Sequence, residues 1–357
     1  MVVADPYPRP VRLIDKIAAE IAATGPIGVA RYMELALFDP DHGYYTTKNP
    51  FGTAGDFVTA PEISQMFGEM IGLWLGAAWG ALGAPSKIVL AELGPGRGTL
   101  MADILRAGAY VPGFLDAAEV WLVEASLRLQ AIQKQALDGH AVRWAERIED
   151  IPEGPLLLVA NEFFDALPIE QYFYDKGQWH QRLIDFHSGG GLSFVAGPTA
   201  DPGIAGKDGD IFETCPEGLR IAGLLGQRLA RQDGAALIVD YGHVRTAVGD
   251  TLQAVRSHKF HPVLENPGQA DVTAHVDFQA LAEAAIPARA HGPVTQGDFL
   301  RGLGIETRAA LLAKGQSPDG AAKIAADMHR LIEPGEMGTL FKVMALAHPA
   351  RGPLIGF

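Results

Sequence analysis

An α/β fold, a mostly parallel sheet covered by helices, is predicted by three observations. Buried-strand candidates alternate with helix-length segments from Ser86 to about His291; a glycine-rich turn joins the first apolar strand to a helix; and a last apolar run near the end of the chain suits an antiparallel final strand of a mixed sheet.

In chain order, Val11 to Gly80 reads as a helical prelude. Its clearest boundary is Thr59-Ala60-Pro61-Glu62, a capping-box pattern opening a helix that continues through Met66, Met70 and Trp74. The strands follow at Lys87 to Leu93, Glu119 to Glu124, Ala141 to Ala145, Pro155 to Ala160, Ala235 to Asp240 and Ala288 to His291, with the final run at Gly338 to Ala347. Helical patterns intervene at Thr99 to Ala109, Ser126 to Leu137, Pro216 to Gln232 and Asp277 to Ala285. Two insertions disturb this rhythm. Gln171 to Ala196 alternates aromatic with polar residues and turns at Lys176-Gly177 and Gly189 to Gly191, so it reads as an antiparallel meander. Tyr241 to His275, rich in Gly, Pro and His, is too long for a plain connection and reads as a loop or lid. The expected domains are an N-terminal extension over 1–85, a core over 86–348 with insertions at 171–196 and 241–275, and a tail over 349–357.

Composition narrows the function classes. Twenty-nine Lys plus Arg against forty-two Asp plus Glu give a net charge of −13, which opposes steering of polyanions, so no nucleic-acid partner is expected. The single cysteine, Cys215, excludes an intramolecular disulfide and a cysteine-rich metal cage, and points to a reducing, cytoplasmic compartment. Met1 to Arg12 has neither the apolar region of a secretory signal nor the character of a transit peptide. Met70 to Ser86 holds no charge but four glycines and a proline, and reads as a buried or partner-facing helix rather than a membrane span.

The chemistry concentrates in Glu92-Leu93-Gly94-Pro95-Gly96-Arg97-Gly98-Thr99-Leu100, where a strand ends and a helix begins. Glycines there permit a sharp reversal and close approach of a ligand to main-chain N–H groups. A dinucleotide fingerprint needs glycine where Thr99 stands, and no Gly-Lys-Ser/Thr follows for a phosphate loop. The remaining pattern, acid-x-G-x-G-x-G, is that of S-adenosyl-L-methionine binders; a tight turn without ligand is the alternative. Glu92 supplies opposite charge to an ammonium and a sulfonium, and Glu124, ending the next strand, stands where a carboxylate accepts from ribose hydroxyls. After the fourth strand comes Asn161-Glu162-Phe163-Phe164-Asp165. Asn161 is placed to hydrogen-bond a substrate nitrogen, and Glu162 with Asp165 to bind a cationic one, guanidinium above all, and to receive a proton. The competing reading makes these acids helix caps or partners of local arginines. His258 and His261 lack matching ligands, so no metal site is expected. His275-Val276-Asp277 reads as a helix entry, Cys215 as a small buried residue, and Tyr172, Phe173, Tyr174, Trp179 and Phe186 as packing on one face of the meander, with peptide docking on the other as the alternative.

The ordered set of motifs resembles the MidA-like methyltransferases, relatives of the mitochondrial complex I assembly protein-arginine methyltransferase. It is carried by His42-Gly43-Tyr44-Tyr45, Gly55 to Glu62 with Ser64 to Glu69, the segments at 92–100 and 161–168, Val239 to Gly242, His275 to Phe278, Gln296 to Leu300 and Met337 to Val343. The resemblance implies a Rossmann-like seven-stranded core, S-adenosyl-L-methionine as cofactor and ω-N-methylation of a protein arginine. Gly94, Gly96 and Gly98 would hold the methionine moiety, Glu124 the ribose, and Glu162 with Asp165 the guanidinium, while Asp56 to Glu62, with Thr59 and Glu62 among the cofactor contacts, would close over the cofactor. The implied partner is a protein such as a respiratory complex I subunit; a homodimer is also considered, and integral membrane insertion is not. The rival functions are a non-catalytic assembly or scaffold factor and an NAD(P)-dependent oxidoreductase.

Overall fold

The computed structural model describes residues 12–48, 59–187 and 189–357. They divide into two compact units: those within 51–167, 216–247 and 274–357 form one, and those within 1–50, 168–215 and 248–273 form the other.

The sheet of the first unit runs through seven strands, β1 Ile88–Leu93, β2 Ala118–Val123, β3 Val142–Ala145, β4 Leu156–Asn161, β5 Gly234–His243, β6 Arg289–Thr295 and β7 Phe341–Ala347, and an eighth, the two-residue strand Val276–Asp277, pairs parallel with the end of β5. Their order is β3-β2-β1-β4-β5-β7-β6, and β7 alone runs against its neighbours. Helices α1 Gln65–Ala81, α2 Thr99–Gly108, α3 Leu127–Ala136, α4 Pro216–Gln232 and α5 Phe278–Ala284 fall on the expected segments. Because side chains alternate along a strand, one sequence run serves two cores. Leu90, Leu157, Val159, Leu237 and Val343 pack with α1 and α2, whereas Val89, Ala91, Leu158, Ile238 and Met344 pack with α4 and α5. Burial on both faces is why these strands are apolar throughout.

Three local expectations are corrected. The final strand starts at Phe341, not Gly338, because Met337–Leu340 forms a helical turn in which the Gly338 N–H reaches Glu333 O at 3.0 Å. The helix foreseen from Thr59 is two helices. Ala60–Ile63 stops at Ser64, whose extended backbone starts α1 afresh and whose hydroxyl accepts the Met66 N–H at 3.3 Å. Thr59 makes no side-chain cap, so the capping box does not form.

Glycines explain the long uncharged stretch. Gly68, Gly72 and Gly76 form a small-residue stripe on α1 facing α2 and the residues after it: a Cβ on Gly68 would lie 2.4 Å from Asp103 Cβ, one on Gly72 2.9 Å from Ile104 O, and one on Gly76 2.7 Å from Val111 Cγ2. Twelve of the helix's seventeen residues are buried because it packs within its own unit, and among the described residues no helix is long and apolar enough to cross a membrane.

The second unit is built on an antiparallel sheet. Strands Glu170–Asp175, Gln178–Phe186 and Leu192–Ala200 form the meander, with Lys176 and Gly177 both at positive φ in its first turn. Ile211–Thr214 and Ile27–Gly28 extend the sheet. The aromatic residues do not share one packing face. Trp179 is buried, edge-on to Tyr174 at 5.1 Å, with its Nε1 donating to Ile204 O at 2.8 Å, while Phe186 is exposed. Residues 248–273 are not a bare loop: Gln253–Arg256, Lys259–His261 and Asp271–Thr273 form a three-stranded sheet.

The glycine stripe sets a stability test. Gly68→Ala forces two backbone-anchored Cβ atoms together and should destabilise the protein by about 1–3 kcal/mol in urea unfolding. Gly80→Ala, on the same helix with open space around it, should stabilise by up to about 1 kcal/mol.

Candidate active site

All ten residues singled out from the sequence lie in the sheet unit, at or next to the carboxyl ends of β1, β2 and β4, where ligands of open α/β sheets bind. Gly94, Gly96 and Gly98 have φ of 60°, 51° and 82°, the left-handed region that side chains avoid. Gly94 is doubly constrained, since a Cβ there would sit 2.8 Å from Phe163 Cδ2. Gly98 caps α2, so the turn delivers the chain into a helix N-terminus.

Glu92 lies inside β1 and is 3% exposed. Its Oε2 has no hydrogen-bond partner among the described residues, and burial pushes the carboxyl up to about 8, opposed by a hydrogen bond from the Met101 N–H. Neutral at pH 7 by itself, it is stabilised as a carboxylate only when a cation stands nearby. Glu124 follows β2. One carboxylate oxygen accepts the Ser126 N–H at 2.8 Å and the other the Gln133 Nε2 at 3.2 Å, and the Ala125 N–H adds a third donor, so acceptor capacity remains on the carboxylate. Burial raises its pKa too. Left-handed glycines, an orphan buried carboxylate oxygen and a second carboxylate with spare acceptors suit a ligand with cationic groups and a ribose.

Beyond β4, Glu162 takes φ 50° and its N–H bonds Val239 O at 2.9 Å. Glu162 Oε1 accepts from Ala60 N–H and Asn161 Nδ2, each at 3.2 Å. Asn161 Oδ1 and Asp165 Oδ1 are buried acceptors without a partner among the described residues. Burial raises Asp165 to about 6, against a hydrogen bond from Tyr241.

Thr59 is buried at the start of Ala60–Ile63. Glu62 turns toward the glycine turn, accepting Thr99 Oγ1 at 3.0 Å and lying 3.8 Å from Arg97. The short helix thus touches the glycine turn through Glu62 and the acidic loop through Ala60. Asp56 to Val58, expected in the same covering segment, lie outside the described residues.

Two site residues escaped sequence reasoning. Asp240, on β5 and fully buried, accepts the N–H groups of Phe163, Phe164 and Asp165 at 3.2, 3.0 and 3.3 Å through Oδ2. Burial, with the charges of Asp165 and Glu162, pushes its pKa well above the usual carboxylate range. A lone acid closing an apolar strand run was the available signal. Gln133, on α3, gave none. Asp277 is a helix entry, accepting the Ala280 N–H at 3.0 Å, and His261 Nε2 lies 3.2 Å from Glu265 O rather than in a metal-binding group. Cys215 is half-buried, its Sγ 3.6 Å from Pro168 O.

Residues 70–294 match the family model of S-adenosyl-L-methionine-dependent methyltransferases. Protein arginine methyltransferase NDUFAF7, mitochondrial, of Danio rerio is 38% identical over 95% of this chain and 87% of its own length. The Homo sapiens protein of that name is 36% identical over 96% of this chain and 85% of its own. A crystal structure of a COG1565 superfamily member from Burkholderia thailandensis, bound to S-adenosyl-homocysteine, is 31% identical with a TM-score of 0.85, covering 97% of this chain and 94% of that one. These findings settle the cofactor as S-adenosyl-L-methionine and leave the oxidoreductase reading without support. They also correct the expected cytoplasmic location, since the curated relatives are named mitochondrial proteins. A low cysteine count reports reducing chemistry, not which reducing compartment holds the protein.

A carboxyl raised to about 8 in the folded chain binds a proton that the unfolded chain has lost, so stability falls as pH rises from about 4.5 to 8 and levels off above. Glu92→Gln should remove that share. In urea unfolding without cofactor, the variant should lose less stability between pH 6 and 8 than the parent; equal losses would show that Glu92 is not the group titrating.

Proposed function

On the premise that this chain belongs to the family of S-adenosyl-L-methionine-dependent methyltransferases, we propose that it methylates a terminal nitrogen of an arginine in a protein partner, a respiratory complex I subunit. The observation that carries this reading is the acceptor-rich rim at the end of β4. Asn161 Oδ1 and Asp165 Oδ1 are buried without donors among the described residues, on either side of Glu162. A guanidinium offers five N–H donors and no acceptor, and its charge offsets the crowding of Glu162, Asp165 and Asp240. That relatives in Danio rerio and Homo sapiens are protein arginine methyltransferases supports arginine as the acceptor; the family resemblance supplies the partner class.

Bound S-adenosyl-L-methionine supplies an electrophilic methyl group on a positively charged sulfur. Glu92 and the turn at Gly94, Gly96 and Gly98 would hold its cationic methionine end, Glu124 its ribose, and Thr59 and Glu62, from the short helix, would stand beside it. Asn161, Glu162 and Asp165 hold the guanidinium plane so that one nitrogen lies in line for transfer, where orientation supplies most of the rate. That nitrogen must shed one proton as its bond to carbon forms. Asp165, its carboxyl near 6, accepts a proton at neutral pH and keeps its alignment through Tyr241.

Purified chain, labelled S-adenosyl-L-methionine and a complex I preparation should yield one labelled polypeptide whose digest contains ω-N-methylarginine. Label confined to RNA or small molecules would reject the acceptor. Glu162→Gln preserves an oxygen for the Ala60 N–H but removes the charge. Turnover should fall about 100-fold or more, with S-adenosyl-homocysteine affinity by calorimetry within about threefold of the parent.

A further inference from the structure

We propose that Gln133 is a positioning residue for the cofactor, coupling the acid that faces the ribose to the glycine turn that faces the methionine half. Its side chain is fully buried on α3, and all three polar contacts of its amide are made by groups of the site or its wall. Nε2 donates to Gly96 O at 2.8 Å and to Glu124 Oε2 at 3.2 Å, while Oε1 accepts from Trp144 Nε1 at 2.8 Å. An indole N–H only donates, so Trp144 dictates which end of the amide is oxygen and thereby directs both amide protons at the site.

The consequence for binding is physical. Glu124 is a buried carboxylate with its pKa raised by desolvation, and a hydrogen bond from Gln133 to its charged form favours the ionised state that ribose hydroxyls need. The same nitrogen fixes the carbonyl of Gly96, a residue at φ 51°, at the middle of the turn. A ligand spanning both groups therefore meets them already held in register, and the ordering cost of one half is met in common with the other.

This inference rests on Glu124 as the ribose acid, and a binding cycle separates the two claims. By calorimetry on the full chain with S-adenosyl-homocysteine, Gln133→Met, close in volume but without donors, should weaken affinity about tenfold or more. In the Glu124→Ala background the same change should cost at least about threefold less, since the pair acts together. Equal costs in both backgrounds, or parent-like affinity of Gln133→Met, overturn the coupling. Parent-like affinity of Glu124→Ala instead removes the ribose assignment, and the coupling with it. Trp144→Phe keeps Gln133 and both acceptors of its Nε2 but removes the donor that anchors Oε1; it should weaken binding several-fold, and unchanged affinity there counts against the proposal even if Gln133→Met fails to fold.

Discussion

One buried carboxylate organises the acidic edge of the sheet. Asp240 Oδ2 gathers the N–H groups of three successive residues, Phe163, Phe164 and Asp165, and so dictates how the chain leaves β4. With those amides turned inward, Glu162 is driven to positive φ and its carboxylate meets Ala60, while Phe163 lies against the turn where only glycine fits at position 94. The glycine turn and the acidic loop, far apart in sequence, are thus parts of one construction, and the glycine at 94 answers to the residue at 163 as much as to its own dihedral angles.

The electrostatics of this edge run in one direction. Glu92, Glu124, Asp165 and Asp240 all have carboxyl groups raised by burial. An isolated fold has no reason to accumulate such costs. They make sense where positively charged ligands complete the charge balance, an ammonium and sulfonium at one end and a guanidinium at the other. Elsewhere in the same unit, Glu69 is clasped by Arg308 at 2.7 and 3.0 Å, while Asp103 meets Arg106 at 2.7 Å through one oxygen, keeps the other without a partner among the described residues and is raised by burial to about 6.

The short helix Ala60–Ile63 shows how a local sequence pattern can yield to a tertiary contact. Thr59 to Glu62 matches a capping box, yet Glu62 gives its carboxylate to Thr99 and approaches Arg97. The side chain available for capping is also within reach of a hydroxyl at the mouth of α2, and the tertiary partner prevails over the local one. α1 then needs its own start, which Ser64 provides.

The strands of the sheet and the helices between them as far as β6, the glycine turn and the acids ending β1, β2 and β4 were legible in the chain, because each depends on short-range rules: side-chain alternation in strands, helical periodicity and the freedom of glycine to take positive φ; the helices Gln296–Gly302, Ile305–Ala313 and Pro318–Ile332 were not foreseen. Asp240 as the hub of the acidic loop and Gln133 as the link between Glu124 and Gly96 were decided only by the tertiary structure. Their roles consist of hydrogen bonds across 75 and 37 positions of sequence, and a polar residue's partner at such range is set by how strands and helices stack. Residues 248–273 followed the same division: their length set them apart as an insertion, whereas the pairing that makes them a sheet comes from contacts among strands too short to announce themselves.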